Sequence, residues 1–241
     1  VRVLTTTQGT DDWEVARKGR LTASCIGKIL AGPNTKTRHD YIMDLVLDLE
    51  GIGDFRDSGS WYLEGRKYEG HARGWYDWNH NATSDSVKEV GFILHDEYNW
   101  IGCSPDGFVG DGMVEIKYRK TLETFNSSIV KPIPRVYRCQ MQTQMWVCDK
   151  RWCDYVNYWR NDQTGQEQGH VRRVVRDDAQ IKELENAAFL FWQAVIEKYR
   201  ERTGDVQFAY PWDVRQNMKS KIIPEADALA EYENQKEDQN E

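Results

Sequence analysis

The segment M113-V-E-I-K117, preceded by the turn S104-P-D-G107, constrains the fold more than any other part of the chain. A strand repeats every two residues, so Glu115 and Lys117 lie on one face. Ser104 to Gly107 carries turn chemistry, so Asp106 closes one strand and Glu115 lies on the next. A hairpin of this length sets the two carboxylates side by side. Two acids and an amine on one face are not what an apolar core selects, because charges at that density need a mutual partner or a metal ion. Glu115 and Lys117 taken alone also suit the solvent face of an amphipathic strand, and Asp106 alone is an ordinary turn residue. Their combination is what points to chemistry.

Two hard carboxylates and a backbone carbonyl suit Mg²⁺ or Mn²⁺. Such an ion polarises a phosphodiester and lowers the pKa of a bound water. Two roles are open to Lys117. Beside a cation its proton leaves more readily, so it can orient or deprotonate the attacking water. Still protonated, it stabilises the charge of the phosphorane.

The flanking patterns place this hairpin in a mixed α/β (α+β) fold. Residues 11–31 read as helical, capped by Thr10 or Asp11, with Trp13, Ala16 and Leu21 on an apolar side and an interruption at 17–20. A second short helix is expected from Thr22–Ser24 to Leu30, ended by Gly32-Pro33-Asn34. Helical spacing recurs over 38–50 and 61–80, with a loop at 51–59 and glycines at 65, 70 and 74 weakening the latter helix. Residues 90–95 and 100–103 read as paired strands, with 113–117 as the third strand of a meander. A buried helix over 135–148, strands over 152–159 and 171–176, and a long helix over 178–202 follow. This order suits a mixed sheet flanked by helices.

The 241 residues, 39% of them apolar, are enough for one core. A single domain over 1–223 is expected, followed by an acidic, flexible tail over 224–241. The tail holds seven acids and one Lys, a net of −6, so the whole-chain charge of −7 leaves the body at −7 − (−6) = −1. A nearly neutral body has room for a local basic groove. Five cysteines with no C-x-x-C pair argue against a disulfide framework or a zinc site, and reduced thiols fit a cytoplasmic protein. No membrane span or signal peptide is expected. Ten Trp and twelve Tyr are core or interface residues by default and say nothing about ligands.

Seven short motifs stand in one order: W-x-x-x-R at 13–17, L-T-A-S at 21–24, G-x-x-Y-E at 65–69, C-S-P-D-G at 103–107, E-I-K at 115–117, Q-M-Q-x-Q-M-W at 140–146, and an aromatic strand ending N-Y at 157–158. Through that ordered set, over roughly residues 11–200, the chain resembles the lambda exonuclease and YqaJ-type viral recombinase family of the PD-(D/E)xK nucleases. The resemblance implies a restriction-endonuclease-like fold with two Mg²⁺ ions, replaceable by Mn²⁺. Asp106, Glu115 and the main-chain carbonyl of Ile116 would be ligands, with Glu69 close to the metals. Lys117 would be the catalytic amine, and Gln140 would contact the scissile region. Arg17, Ser24 and Ser104 match a pocket for a terminal 5′-phosphate. Arg forks to phosphate oxygens, and Ser24 sits beside an expected helix N-terminus, a natural anion site. One departure is clear. By ungapped count Glu123 stands where the lambda protein has a further Arg, with Arg119 and Lys120 nearby as substitutes.

The expected function is Mg²⁺-dependent 5′-to-3′ digestion of one strand of double-stranded DNA from a 5′-phosphorylated end, leaving 3′ tails for recombination. The alternatives are another PD-(D/E)xK enzyme such as an endonuclease, or a catalytically silent DNA-end-binding module on the same fold. A Cas4-like enzyme would need four cysteines for an iron–sulfur cluster, and the spacing offers no such set. The resemblance also implies a homotrimeric ring around DNA and a single-strand annealing partner. Lys28, Lys36, Arg38, Lys131, Arg135 and Arg138 are candidate channel cations.

Overall fold

The computed structural model describes residues 2–53, 59–80, 86–208 and 222–224. After β1 (Arg2–Leu4), helix α1 (Asp11–Arg17) starts at Thr10, whose hydroxyl accepts from the Trp13 N–H. Gly19, at a φ of +64°, turns the chain away from the helix. Leu21–Thr22 is then a strand, β2, followed by a 3-10 turn (Ala23–Cys25) and the single-turn helix α2 (Ile26–Ile29). The helix expected from residue 22 is thus largely replaced, because Leu21 and Thr22 pair in parallel with Ile101 and Gly102. Tertiary pairing overrides a modest local propensity here.

Helix α3 (Lys36–Leu49) is capped by Thr35, and α4 (Gly59–His80) runs unbroken through its glycines. Residues 54–58 of the expected loop lie outside the described residues. Then come β3 (Ile93–Leu94), β4 (Ile101–Cys103), β5 (Gly107–Val109) and β6 (Gly112–Tyr118). Helix α5 (Leu122–Val130) was not expected from apolar spacing. It is set by a capping box in which Thr121 and Thr124 satisfy each other's backbone N–H groups. Glu123 lies in its first turn, where an acid suits the helix dipole. Helix α6 (Arg135–Cys148), strands β7 (Trp152–Arg160) and β8 (Glu167–Val175), helix α7 (Asp178–Thr203) and β9 (Ile222–Pro224) complete the chain. Residues 225–241 of the acidic tail lie outside the described residues.

The strands form two mixed sheets, ordered β2-β4-β3-β1-β9 and β5-β6-β7-β8. The three-strand meander is therefore corrected. β3 and β4 pair with each other, but β6 pairs with β5 antiparallel and with β7 in parallel. The chain leaves the first sheet at Cys103 and enters the second at Gly107, with Asp106 in the crossing.

The second sheet is covered on both faces, so β6 and β7 are buried along most of their length, polar residues included. Val114, Ile116, Val156 and Tyr158 pack under Tyr68, Ala72 and Tyr76 of α4. Met113, Cys153 and Tyr155 face the larger core built by α3, α6 and α7. Glu115 lies between Met113 and Lys117 on that second face, so it points at α6. All residues of α6 from Cys139 to Cys148 are buried, including three glutamines.

Candidate active site

The three acids approach one another from different elements, near enough for Glu115 and Glu69 to act on Asp106 through their charges. Glu115 comes from the α6 face of β6, Glu69 from α4 on the opposite face, and Asp106 from the crossing at the strand edge. Asp106 Oδ2 accepts the Ile116 N–H at 2.5 Å. A strand residue's N–H and C=O point to the same edge, so the Ile116 carbonyl is also turned toward Asp106. The turn is pinned by Gln8, whose Nε2 donates to the Pro105 carbonyl at 2.8 Å, and by Arg73, whose guanidinium donates to the Asp106 carbonyl at 3.2 Å. Arg73 lies four residues after Glu69 and approaches it at 3.9 Å, while also pairing with Glu89. A cavity of about 290 Å³ lies beside Glu69 and Arg73, lined also by Thr7, Gln8, Lys67, Glu89 and Val90, and not by Asp106 or Glu115.

Glu115 is 2% exposed and takes three donors. Gln140 Nε2 donates to Oε1 at 2.8 Å, Gln144 Nε2 donates to Oε2 at 2.7 Å, and Lys117 Nζ donates to Oε1 at 2.5 Å. Gln140 and Gln144 stand one helical turn apart, so both meet the strand. Gln142, on the other side of α6, donates to the Val175 carbonyl and accepts the Asp177 N–H. The Q-M-Q-T-Q run thus divides into a pair that faces Glu115 and one residue that ties α6 to the start of α7.

Burial pushes the Asp106 carboxyl well above the usual range, and the charges of Glu115 and Glu69 push it the same way. Burial alone would lower the Lys117 pKa, but Glu115 and Asp106 outweigh it and the net shift is upward. In this arrangement Lys117 is an ammonium. Its Nζ also lies 4.9 Å from the centre of the Tyr137 ring. Among the described residues no three acid, His or Cys side chains converge on a common ligating point. Lys117 lies on Glu115, and the Ile116 N–H lies on Asp106. The donor set still has the chemistry of a hard-cation site: the buried Glu115 carboxylate, the half-buried Asp106 whose pKa its charge raises, a third acid nearby, and a carbonyl turned to the same edge.

A second constellation begins two residues before Asp106. Trp13 Nε1 donates to Ser104 Oγ at 2.8 Å, and the Arg17 guanidinium lies 4.1 Å over the Trp13 ring. Thr22 pairs with Gly102 in parallel strands, so Ser24 and Ser104 both lie two residues beyond one rung. Ser24 Oγ is 3.3 Å from Thr22 Oγ1. Arg17, Ser24 and Ser104 are therefore gathered at one end of the β2–β4 pair. The helix that follows Ser24 has a single turn, so the expected helix-dipole contribution does not apply.

Other expected contacts are placed differently. Arg119 donates through Nε and Nη2 to Asn157 Oδ1 and through Nη2 to the Tyr155 hydroxyl. That is an internal clasp across β6 and β7, and Lys120 beside it is exposed. Arg38 donates to the Ile29 carbonyl and stacks over Phe191, and Lys28 lies over Tyr41, so both are engaged in packing. Trp13 and Gln144 are motif positions to which the sequence assigns no role at the site, and Arg73 lies in none of the motifs. Each stands four residues from a residue that does have an assigned role, on the same helix: Arg17, Glu69 and Gln140. All five cysteines are free thiols, and Cys103 and Cys148 bring their sulfurs to 3.3 Å.

Comparison with known proteins places the chain in a family. The model of the YqaJ-like viral recombinase domain matches residues 12–151, more than half of the chain. The chain belongs to this family. The span of the match includes Arg17, Glu69, Asp106, Glu115, Lys117 and both glutamines that face Glu115. Among solved structures, this YqaJ-like chain is similar to an alkaline exonuclease, LHK-Exo, from Laribacter hongkongensis. The identity is 32% and the TM-score 0.68, over 82% of this chain and 98% of that one. The same protein in complex with dAMP gives 31% and 0.69 over the same shares. A phage-related exonuclease from Haemophilus somnus, 14% identical with a TM-score of 0.60 over 76% of this chain and 96% of that one, shares the fold. Among curated proteins, "Uncharacterized protein R354" of Acanthamoeba polyphaga mimivirus is 26% identical over 163 residues. That match takes in 62% of this chain and spans 28% of the length of the mimivirus protein. Among the described residues no helix is long and apolar enough to cross a membrane.

Proposed function

We propose that this YqaJ-family protein is a Mg²⁺-dependent 5′-to-3′ exonuclease that digests one strand of double-stranded DNA from a 5′-phosphorylated end and leaves 3′ single-stranded tails. One observation carries the reading: Ser104, tied through Trp13 to Arg17, and Asp106 belong to the same four-residue turn. A terminal phosphate held at Arg17, Ser104 and Ser24 would lie close to the acids, so the bond presented for hydrolysis is near the strand end. An endonuclease has no use for that proximity. The likeness to the Laribacter alkaline exonuclease supports the same class of reaction.

Asp106, Glu115 and the Ile116 carbonyl would hold Mg²⁺, with Glu69 close by for a second ion, and Mn²⁺ would substitute. The bound cation would supply Lewis-acid polarisation of the phosphodiester and acidify a bound water. Glu115 would have to release Lys117, whose amine now lies on its Oε1, to receive the ion. Lys117 enters as an ammonium, so its first contribution is charge stabilisation of the phosphorane. Gln140, 8% exposed and bonded to Glu115, is the glutamine that would meet the scissile region. Arg17 would fork to the terminal phosphate. Arg119 supports the strand that carries Lys117, and Lys120 remains the nearby cation for the DNA backbone.

The same reading includes a homotrimeric ring enclosing DNA, a single-strand annealing partner and a cytoplasmic site of action. A body with a net charge near −1 gains little retention on DNA from charge alone, which favours enclosure. Light scattering in solution tests the trimer. The enzymatic reading is tested with blunt duplexes bearing 5′-phosphate or 5′-hydroxyl ends, in Mg²⁺ and in EDTA. The expected result is mononucleotide release from the phosphorylated end only in Mg²⁺. Internal fragments, or equal rates on both ends, would count against it.

A further inference from the structure

Glu115 is held asymmetrically, and the asymmetry separates a fixed donor from two that can leave. Oε1 is shared by Gln140, 8% exposed, and Lys117, whose side chain is 25% exposed. Oε2 has Gln144, at 2.7 Å. Gln144 is 1% exposed, so it reaches neither DNA nor solvent. Its own Oε1 is buried without a hydrogen-bond partner. The side chain is therefore anchored by its contact with Glu115 and by the packing of α6. Reversing the amide would press its oxygen against the carboxylate, so the orientation is dictated by Glu115.

We infer that Gln144 is a positioning residue that fixes the orientation of the Glu115 carboxylate throughout turnover, while Gln140 and Lys117 exchange Glu115 Oε1 for the substrate. The inference rests on the metal-site reading given above. A buried carboxylate on a strand has a free torsion at its end, and a ligand that rotates loses affinity for its ion. A donor fixed by helix packing removes that freedom at Oε2 and leaves Oε1 available. Outer hydrogen-bond partners of metal ligands act in this way, and their loss lowers metal affinity by about 10- to 100-fold.

The test is direct Mn²⁺ binding, read from the EPR signal of the free ion, on full-length wild type, Gln144→Met and Gln142→Met. Methionine keeps the volume of the glutamine and removes the donor. In Gln144→Met the Kd for Mn²⁺ is expected to rise about 10- to 100-fold, with KM for duplex DNA unchanged and activity recovered by excess Mg²⁺. Gln142→Met removes the tie to Val175 and Asp177, so it should lower thermal stability while leaving the Mn²⁺ Kd as in wild type. Should Gln144→Met fail to fold, Gln144→Asn, whose amide falls one methylene short of Oε2, carries the same measurement. Wild-type binding of Mn²⁺ with unchanged affinity in the Gln144 variant would overturn the positioning role alone. Equal weakening in both variants would reduce it to fold stability and overturn it as well. Wild type that neither binds Mn²⁺ nor needs a divalent ion would overturn the metal-site reading and this inference with it.

Discussion

Trp13 Nε1 donates to Ser104 Oγ at 2.8 Å, joining two residues 91 positions apart. The same indole carries the Arg17 guanidinium on its face. One buried ring thus fixes the distance between a cation from α1 and a hydroxyl from the turn that also holds Asp106. Trp13→Phe keeps an aromatic face and removes the donor. It should lower stability by about 1 kcal/mol, the usual net value of one hydrogen bond. It should also reduce the rate advantage of 5′-phosphorylated over 5′-hydroxyl ends. Arg17→Ala should reduce that advantage further, with a smaller effect on general duplex binding. Competition between the two duplex types reads both variants, and an unchanged preference would remove the pocket.

Asp106 supplies a pH signature. Its folded pKa is raised, first by burial and then by Glu115 and Glu69. A raised folded pKa means that its favourable contribution is complete below the unfolded value of about 3.9. That contribution is lost as pH rises through the folded value. In EDTA the wild-type protein should therefore lose stability from this group as Asp106 ionises. Asp106→Asn, which still accepts the Ile116 N–H, should be flatter with pH, more stable than wild type at neutral pH, and inactive. Mg²⁺ should raise the wild-type Tm by mass action and leave the Asn variant nearly unmoved. Thermal melts across pH, with and without Mg²⁺, decide this. A variant less stable than wild type in EDTA would contradict it.

Lys117 separates chemistry from ligation. Its amine lies on Glu115 and is held protonated by Glu115 and Asp106 against the effect of burial. Lys117→Ala should lose activity by about 10²-fold or more, the range of a positioned acid, base or charge stabiliser. Metal should bind at least as tightly as in wild type, because a competing cation has gone. Mn²⁺ titration beside single-turnover hydrolysis measures both, and weaker metal binding in the variant would make the amine part of the metal site.

The sequence was legible where period and spacing carry the information. Helix α6 follows apolar spacing closely, and E-I-K on β6 shows its face from alternation alone. The same spacing, unaided, does not reveal that Asp106 sits in a crossing between two sheets. That depends on β6 choosing β7 over β4, a long-range pairing. Leu21–Thr22 was misread for the same reason, since only Ile101 and Gly102 make it a strand. Arg119 carries the charge of a DNA contact, yet Asn157 and Tyr155, brought alongside by the parallel register of β6 and β7, occupy it. The burial of α6 was legible, but not which of its three glutamines face Glu115, since that depends on how the helix is turned against β6.

The most direct measurement is hydrolysis of a 5′-phosphorylated blunt duplex in Mg²⁺ by wild type, Asp106→Ala and Glu115→Ala, with duplex binding measured in parallel. The expected result is stepwise mononucleotide release by wild type, and loss of activity in both variants with folding and DNA binding retained. Residual activity within about tenfold of wild type in either variant, only ~1.4 kcal/mol of transition-state stabilisation, would contradict the assignment of these two carboxylates as the centre of the site.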